Sequence, residues 1–155
     1  MKLQGKRVLI TGASRGIGEA LAHGLAGAGA SVALVARTQS AIETLAAGLG
    51  GSAHAADLAD PKQVAGLIAR IEDQVGPVDV LVNNAGVEST AGFVDAPDDE
   101  LRRVTEVNYL APAELCRQAV PRMLRRGGGH IVTVSSMAGC SVFPGLVTYC
   151  ASKAA

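Results

Sequence analysis

From Arg7 to Ala28 the chain passes from a short apolar run, Arg7 to Thr11, through Gly12-Ala13-Ser14-Arg15-Gly16-Ile17-Gly18 into a segment of helical periodicity, with Ile17 followed by Ala20, Leu21, Gly24, Leu25 and Ala28. Strand, glycine turn and helix in so little sequence constrain the fold strongly. The helix must pack back along the strand, and its N-terminus must sit at the strand's carboxyl end. Glycines let the backbone turn sharply and approach a ligand closely, and the unpaired N–H groups of a first helical turn supply donors and a positive dipole end. A phosphate group suits that place. The spacing G-x-x-x-G-x-G differs from the general G-x-G-x-x-G fingerprint, so the turn alone is equally an ordinary loop; the strand before it and the helix after it favour the cradle.

The alternation continues along the chain. Further strands are expected at Ser31 to Ala36, Ala53 to Asp57, Asp79 to Asn83 and His130 to Ser135, near-continuous apolar runs of the kind buried on both faces of a parallel sheet. Ile42, Leu45, Ala46 and Leu49, and then Val64, Leu67, Ile68, Ile71 and Val75, give the intervening helices one apolar face each. Asp60-Pro61 reads as a cap with proline in the first turn. Pro112 reads as the same device before a helix over Ala113 to Arg126, Pro121 as a kink in it, and Gly127-Gly128-Gly129 as the turn into the fifth strand. The expected class is α/β, a Rossmann-type doubly wound parallel sheet in three layers, with residues 1–155 as one domain.

Composition narrows the partners. Fourteen basic and fourteen acidic residues cancel, which argues against nucleic acid and against a polybasic membrane patch, and leaves a small molecule as the expected partner. Cys116, Cys140 and Cys150 have neither C-x-x-C spacing nor an even count, so neither a thiolate metal site nor a disulfide framework is expected, and a reducing cytoplasm fits. The stretch Met1 to Arg7 is polar and leads into an apolar run too short for a signal peptide or a membrane span. His23, His54 and His130 lack ligand spacing, and no metal is expected. Arg125-Arg126 reads as cations favourably placed at a helix C-terminus.

Near the other end lies Tyr149-Cys150-Ala151-Ser152-Lys153. A tyrosine and a lysine four residues apart on a helix share a face, and an ammonium beside a phenol favours the ionised phenol, which makes the pair an acid-base device. The helix is expected to begin at about Tyr149. With the glycine turn, Asn83-Asn84-Ala85-Gly86, Ser136 and the Tyr149/Lys153 pair all in order, the chain resembles the short-chain dehydrogenase/reductase family, and the resemblance covers all 155 residues as the N-terminal part of a member. It implies a catalytic set of Asn108, Ser136, Tyr149 and Lys153. Ser136 is chosen over Ser135 because the family's serine lies thirteen residues before its tyrosine, as Ser136 does here. Tyr149 would protonate a carbonyl oxygen as a nicotinamide gives hydride to its carbon, Ser136 would orient that oxygen, Lys153 would hold Tyr149 reactive and bind the nicotinamide ribose, and Asn108 would hold a water linking Lys153 to solvent.

The same resemblance implies a cofactor bed of Gly12, Ser14, Arg15, Gly16, Ile17, Gly18, Arg37, Asp57, Leu58, Asn84, Ala85 and Gly86, together with Tyr149 and Lys153. Asp57-Leu58 would flank the adenine, with Asp57 accepting from its exocyclic amine. Asn83 and Asn84 would tie neighbouring strand ends together. The second strand ends Val35-Ala36-Arg37 with no carboxylate to engage a ribose hydroxyl, so NADP is expected in preference to NAD, with Arg37 and Arg15 on its 2'-phosphate. Val142 to Val147 and the Glu88 to Asp95 loop are expected to form one wall for an unidentified substrate. A homo-oligomer is expected for the full-length protein. Five strands where a doubly wound fold uses six imply a sheet unfinished in its second half, and hence a fragment of low activity. The alternative is a non-catalytic dinucleotide-binding or interaction module that keeps the cradle without the chemistry.

Overall fold

Five parallel strands, β1 (Arg7–Thr11), β2 (Ser31–Ala36), β3 (Ser52–Ala55), β4 (Val80–Asn83) and β5 (His130–Thr133), form one sheet in the order β3-β2-β1-β4-β5. This computed structural model describes residues 2–89 and 92–155, so Met1, at the start of the polar N-terminal stretch, and Thr90 and Ala91, within the expected substrate wall, lie outside the described residues. β1 and β4 are neighbours although two strands separate them in sequence, which places a topological switch point between them. In such sheets ligands bind outside the carboxyl ends of the strands at that point.

Alternation along the strands builds two cores. Val8, Ile10, Val32, Leu34, Val80 and Val82 face α1 (Gly16–Gly27) and α2 (Gln39–Leu49), whereas Leu9, Val35 and Leu81 join Ile68 and Ile71 of α4 (Leu67–Val75) and Leu115 of α6 (Ala111–Arg125). Leu9, Ile10, Leu34, Leu81 and Leu115 are fully buried; each contributes about 1.5–3 kcal/mol relative to an exposed side chain.

β1 and β2 have the boundaries their apolar runs predict. β3 starts one residue early and ends at Ala55, leaving Asp57 beyond the sheet edge; β4 starts at Val80 because Asp79 is occupied by Lys6 Nζ, at 3.2 Å, and the backbone N–H of Arg7, at 2.9 Å. β5 departs further from expectation. All four of its residues are exposed, Val132 at 48%, and among the described residues β4 is its one strand neighbour.

The helix expected to run on through Val64 to Val75 is two pieces, α3 (Pro61–Val64) and α4, split at Gly66, whose φ is +67°. Gln118 of α6 explains the break. Its Nε2 donates to the Val64 carbonyl at 2.9 Å and its Oε1 accepts from the Ile68 N–H at 3.1 Å, so one amide satisfies both backbone groups that the interruption frees. Asp60 caps α3 as expected, accepting from the Lys62 N–H at 2.9 Å. Pro112, by contrast, does not open a new helix. α5 (Asp98–Thr105) runs into a π-helical turn over Glu106–Leu110 and then directly into α6. A proline at 112 has no N–H for the carbonyl of residue 108, which accounts for the widened turn and sets Asn108 at its centre. Past Pro121, α6 continues to Arg125. Arg126, just after it, pairs with Glu72 at 3.0 Å and donates to the Val78 carbonyl, so it ties α6 to α4 and to the approach to β4.

Candidate active site

A cleft of about 390 Å³ opens across the carboxyl ends of β1 to β4. Along one side runs the glycine turn, from Gly12 to Gly18; Ala36 ends β2 and Arg37 follows it, Ala56 to Ala59 follow β3, and Asn84 to Val87 follow β4. The structure thus brings together Gly12, Ser14, Arg15, Gly16, Ile17, Gly18, Arg37, Asp57, Leu58, Asn84, Ala85 and Gly86 around one space. Asp57 points one carboxylate oxygen at the Ala59 N–H, at 3.0 Å. Arg15 and Arg37 form no ion pair among the described residues.

The turn is braced against β4. Thr11 Oγ1 accepts from the N–H groups of Asn84 and Ala85, at 3.0 and 3.1 Å, and donates to the Val82 carbonyl, while Asn84 Nδ2 donates to the carbonyls of Thr11 and Gly12 at 2.9 and 3.2 Å. Asn84 therefore ties the strand ends as expected. Asn83 does not. Its Nδ2 reaches Cys116 Sγ on α6, and its buried Oδ1 has no hydrogen-bond partner among the described residues. At Gly12 φ is +65° and a Cβ would lie 2.7 Å from the Ala85 Cα; at Gly18 a Cβ would meet the Gly12 carbonyl and lie 2.6 Å from Asn84 Nδ2. Gly16 differs, since its Cβ would enter open space and only its φ of +60° requires glycine. Gly18→Ala is expected to cost about 1–3 kcal/mol by forcing the turn away from β4. A shift of the urea midpoint is the check, and an unchanged midpoint would show that the contact yields freely.

Tyr149 and Lys153 lie on α7 (Val147–Ala154), which begins two residues earlier than expected and leaves the tyrosine within the first turn. Lys153 Nζ is 5.8 Å from the Tyr149 ring centroid and donates to the Val134 carbonyl, just past β5, at 3.1 Å. Burial lowers the pKa of the Lys153 ammonium from its ordinary value. Gly86 faces it, for a Cβ there would lie 3.4 Å from Nζ and 3.6 Å from Asn108 Oδ1. The glycine-turn side and the Tyr/Lys side of the site therefore meet at Gly86.

Asn108 is buried and its amide is engaged at both ends. Oδ1 accepts from the Val87 N–H at 2.8 Å, and Nδ2 donates to the Val87 carbonyl at 2.8 Å and to Ser152 Oγ at 2.9 Å. Ser152 in turn donates to the Tyr149 carbonyl at 2.8 Å. One side chain thus links the segment after β4, the π-helical turn and α7. Asn108→Ala strips both backbone groups of Val87 of their partner; a loss of about 2–3 kcal/mol is expected, read as a lower denaturation midpoint at unchanged slope. Ser136 caps the short 3₁₀ turn Met137–Gly139, accepting from the Ala138 N–H at 3.1 Å. A hydroxyl that accepts one bond keeps its proton to donate elsewhere.

Several residues of the site escape sequence reasoning. Val35, Ala56, Ala59, Val87, Arg103 and Val107 also line the cleft, and Ser152 bridges Asn108 to the tyrosine. Of the expected substrate wall, Val94 and Val142 are exposed, at 91% and 86%. No described helix is long and apolar enough to cross a membrane.

Comparison with known proteins agrees with this geometry. The family described as short chain dehydrogenase matches residues 6–155. The glycine betaine reductase ATRR of Emericella nidulans is 44% identical over 97% of this chain and 12% of its own length, and the ketoacyl reductase HetN of Nostoc sp. is 40% identical over 98% of this chain and 55% of its own. The chain therefore spans about half of one curated relative and a small part of the other. A metagenomic short-chain oxidoreductase solved in complex with NADP superposes with a TM-score of 0.91 at 36% identity, covering 99% of this chain and 72% of that one.

Proposed function

The chain belongs to the short-chain dehydrogenase family, and on that premise we propose that it is the cofactor-binding and catalytic part of an NADP-dependent oxidoreductase that interconverts a carbonyl and a secondary alcohol. The observation that carries this reading is the meeting at Gly86 of a cleft built for a dinucleotide with a half-buried lysine set beside a tyrosine. The residues fit such a cofactor. A glycine turn opens onto a helix N-terminus for a pyrophosphate, Arg15 and Arg37, without ion-pair partners among the described residues, line the same space for a further phosphate, and Leu58, Ala59, Val87 and Val107 supply an apolar floor for a base.

When bound, the nicotinamide supplies or accepts the hydride. In the reductive direction the Tyr149 hydroxyl gives its proton to the carbonyl oxygen as negative charge gathers there, and the nearby Lys153 ammonium stabilises the phenolate left behind. Ser136 donates its free proton to the same oxygen and orients it. Asn108, with its amide spent on Val87 and Ser152, serves the site by fixing α7 against the segment after β4. Its part in resupplying protons through a water then falls to its backbone carbonyl, the group to which Pro112 can offer no N–H. Cytoplasmic location and homo-oligomeric assembly belong to the same proposal, the latter supported by Tyr109 and Leu110, which are more than two-fifths exposed on the π-helical turn.

The test is oxidation of NADPH by the intact protein over a panel of ketones and aldehydes, run beside a cofactor titration. Turnover with at least one carbonyl supports the enzyme. Tight cofactor binding without turnover on any carbonyl or alcohol would favour a dinucleotide-binding module, and failure to bind either dinucleotide would end both readings.

A further inference from the structure

We propose that Arg103 is part of the bed for the adenine of the dinucleotide, its guanidinium lying against the face of the base; the inference rests on the dinucleotide reading above. Arg103 belongs to α5 and lines the cleft together with Val107, one helical turn further on. Its neighbour in sequence, Arg102, lies on another side of the helix, where it lines a separate surface hollow with Asp98, Leu101 and Thr105. The two arginines are thus sorted by the helix, one to solvent and one to the cleft.

Among the described residues no side-chain hydrogen bond or ion pair employs the Arg103 guanidinium. α5 opens with Asp98, Asp99 and Glu100, yet among the described residues Arg103 makes no ion pair with them or with any other carboxylate. A basic residue in the last turn of a helix ordinarily complements the negative end of the dipole. Here that end does not exist as such, because α5 continues into the π-helical turn and α6.

The surroundings indicate what the guanidinium meets. Phosphate donors are concentrated in the turn between β1 and α1, whereas Val107 packs into the same apolar cluster as Leu58, Ala59 and Val87, all of them cleft residues. An apolar floor with a planar cation beside it suits a flat aromatic base better than an anion. Guanidinium groups stack on aromatic faces through their own planarity, and an ammonium reproduces that only in part. Arg103 therefore recognises the half shared by NAD and NADP, while Arg15 and Arg37 distinguish them.

Arg103→Met and Arg103→Lys in the intact protein, each shown to be folded by its melting temperature, are titrated with NADP, NAD, 2',5'-ADP and nicotinamide mononucleotide. Arg103→Met is expected to weaken the three adenine nucleotides by a common factor of about ten, with Arg103→Lys recovering only part and nicotinamide mononucleotide unaffected. Unchanged affinities would overturn the assignment. So would a loss confined to NADP and 2',5'-ADP, which puts the guanidinium on the 2'-phosphate, or full rescue by lysine, which reduces it to charge. Failure of the unsubstituted protein to bind any of these nucleotides would instead overturn the dinucleotide reading beneath it.

Discussion

Tyr149→Phe is expected to lower turnover by about 10² to 10⁴ while leaving NADP affinity almost unchanged. The substitution removes one oxygen and keeps the ring that stands 5.8 Å from Lys153 Nζ. Among the described residues no hydrogen bond uses that oxygen: α7 is held through the Tyr149 backbone carbonyl, which accepts from Ser152, and through the Lys153 bond to the Val134 carbonyl. The loss should therefore appear in kcat and, by a similar factor, in kcat/KM, the pattern of an interaction made only in the transition state. Cofactor titration and melting temperature supply the controls. Near-normal turnover of the variant would remove Tyr149 from the acid-base role, and a large loss of cofactor affinity would make it a binding residue instead. Lys153→Ala should behave differently and damage both quantities, because the ammonium sits against Gly86 on the cleft side as well as beside the phenol.

The parts of this molecule that can be read from the sequence are those decided locally. β1 and β2 are β-branched and leucine runs bounded by glycine or polar residues, and they fold within the limits the pattern sets. β3 is alanine-rich, Ser52-Ala53-His54-Ala55, and alanine carries no strand preference that could fix its ends. The break at Gly66 is invisible to periodicity because a side chain fifty residues away, Gln118, satisfies the groups it frees. β5 has the composition of a buried strand, yet its four residues are exposed, since composition does not report which elements cover a strand.

The site divides in the same way. Its glycine turn and Tyr/Lys pair are compact motifs, each contained in about two helical turns of sequence or less, so their chemistry shows in the spacing. Asn108 carries no such signature. Its position follows from the π-helical turn ahead of Pro112, and its purpose only from bonds to Val87 and Ser152, which are 21 and 44 residues away. Arg103 and Ser152 escape notice for the same reason: their roles are made by packing between α5, α7 and the ends of β3 and β4.

Arg37→Asp is expected to shift the preference of the intact protein from NADP toward NAD, with NADP affinity falling roughly tenfold to a hundredfold or more. Arg37 follows directly on β2, whose end is joined to the glycine turn by the Ala13 N–H bond to the Val35 carbonyl at 3.2 Å, and like Arg15 it lines the cleft. A guanidinium there offers charge-assisted bonds to a 2'-phosphate, each contributing about 1.5–3 kcal/mol, and removing one accounts for the lower figure. An aspartate does more than remove it. Its carboxylate repels the phosphate dianion and offers acceptors to the free ribose hydroxyls of NAD, so the two affinities should move in opposite directions. Because Arg37 is exposed and has no ion-pair partner among the described residues, the fold should be indifferent to the change, and the melting temperature without ligand is expected to stay put. Arg37→Ala separates the two contributions, since it should weaken NADP without strengthening NAD. If the unsubstituted protein binds NAD as tightly as NADP, or if Arg37→Asp leaves NADP binding intact, the 2'-phosphate is held elsewhere and the cofactor assignment fails with it.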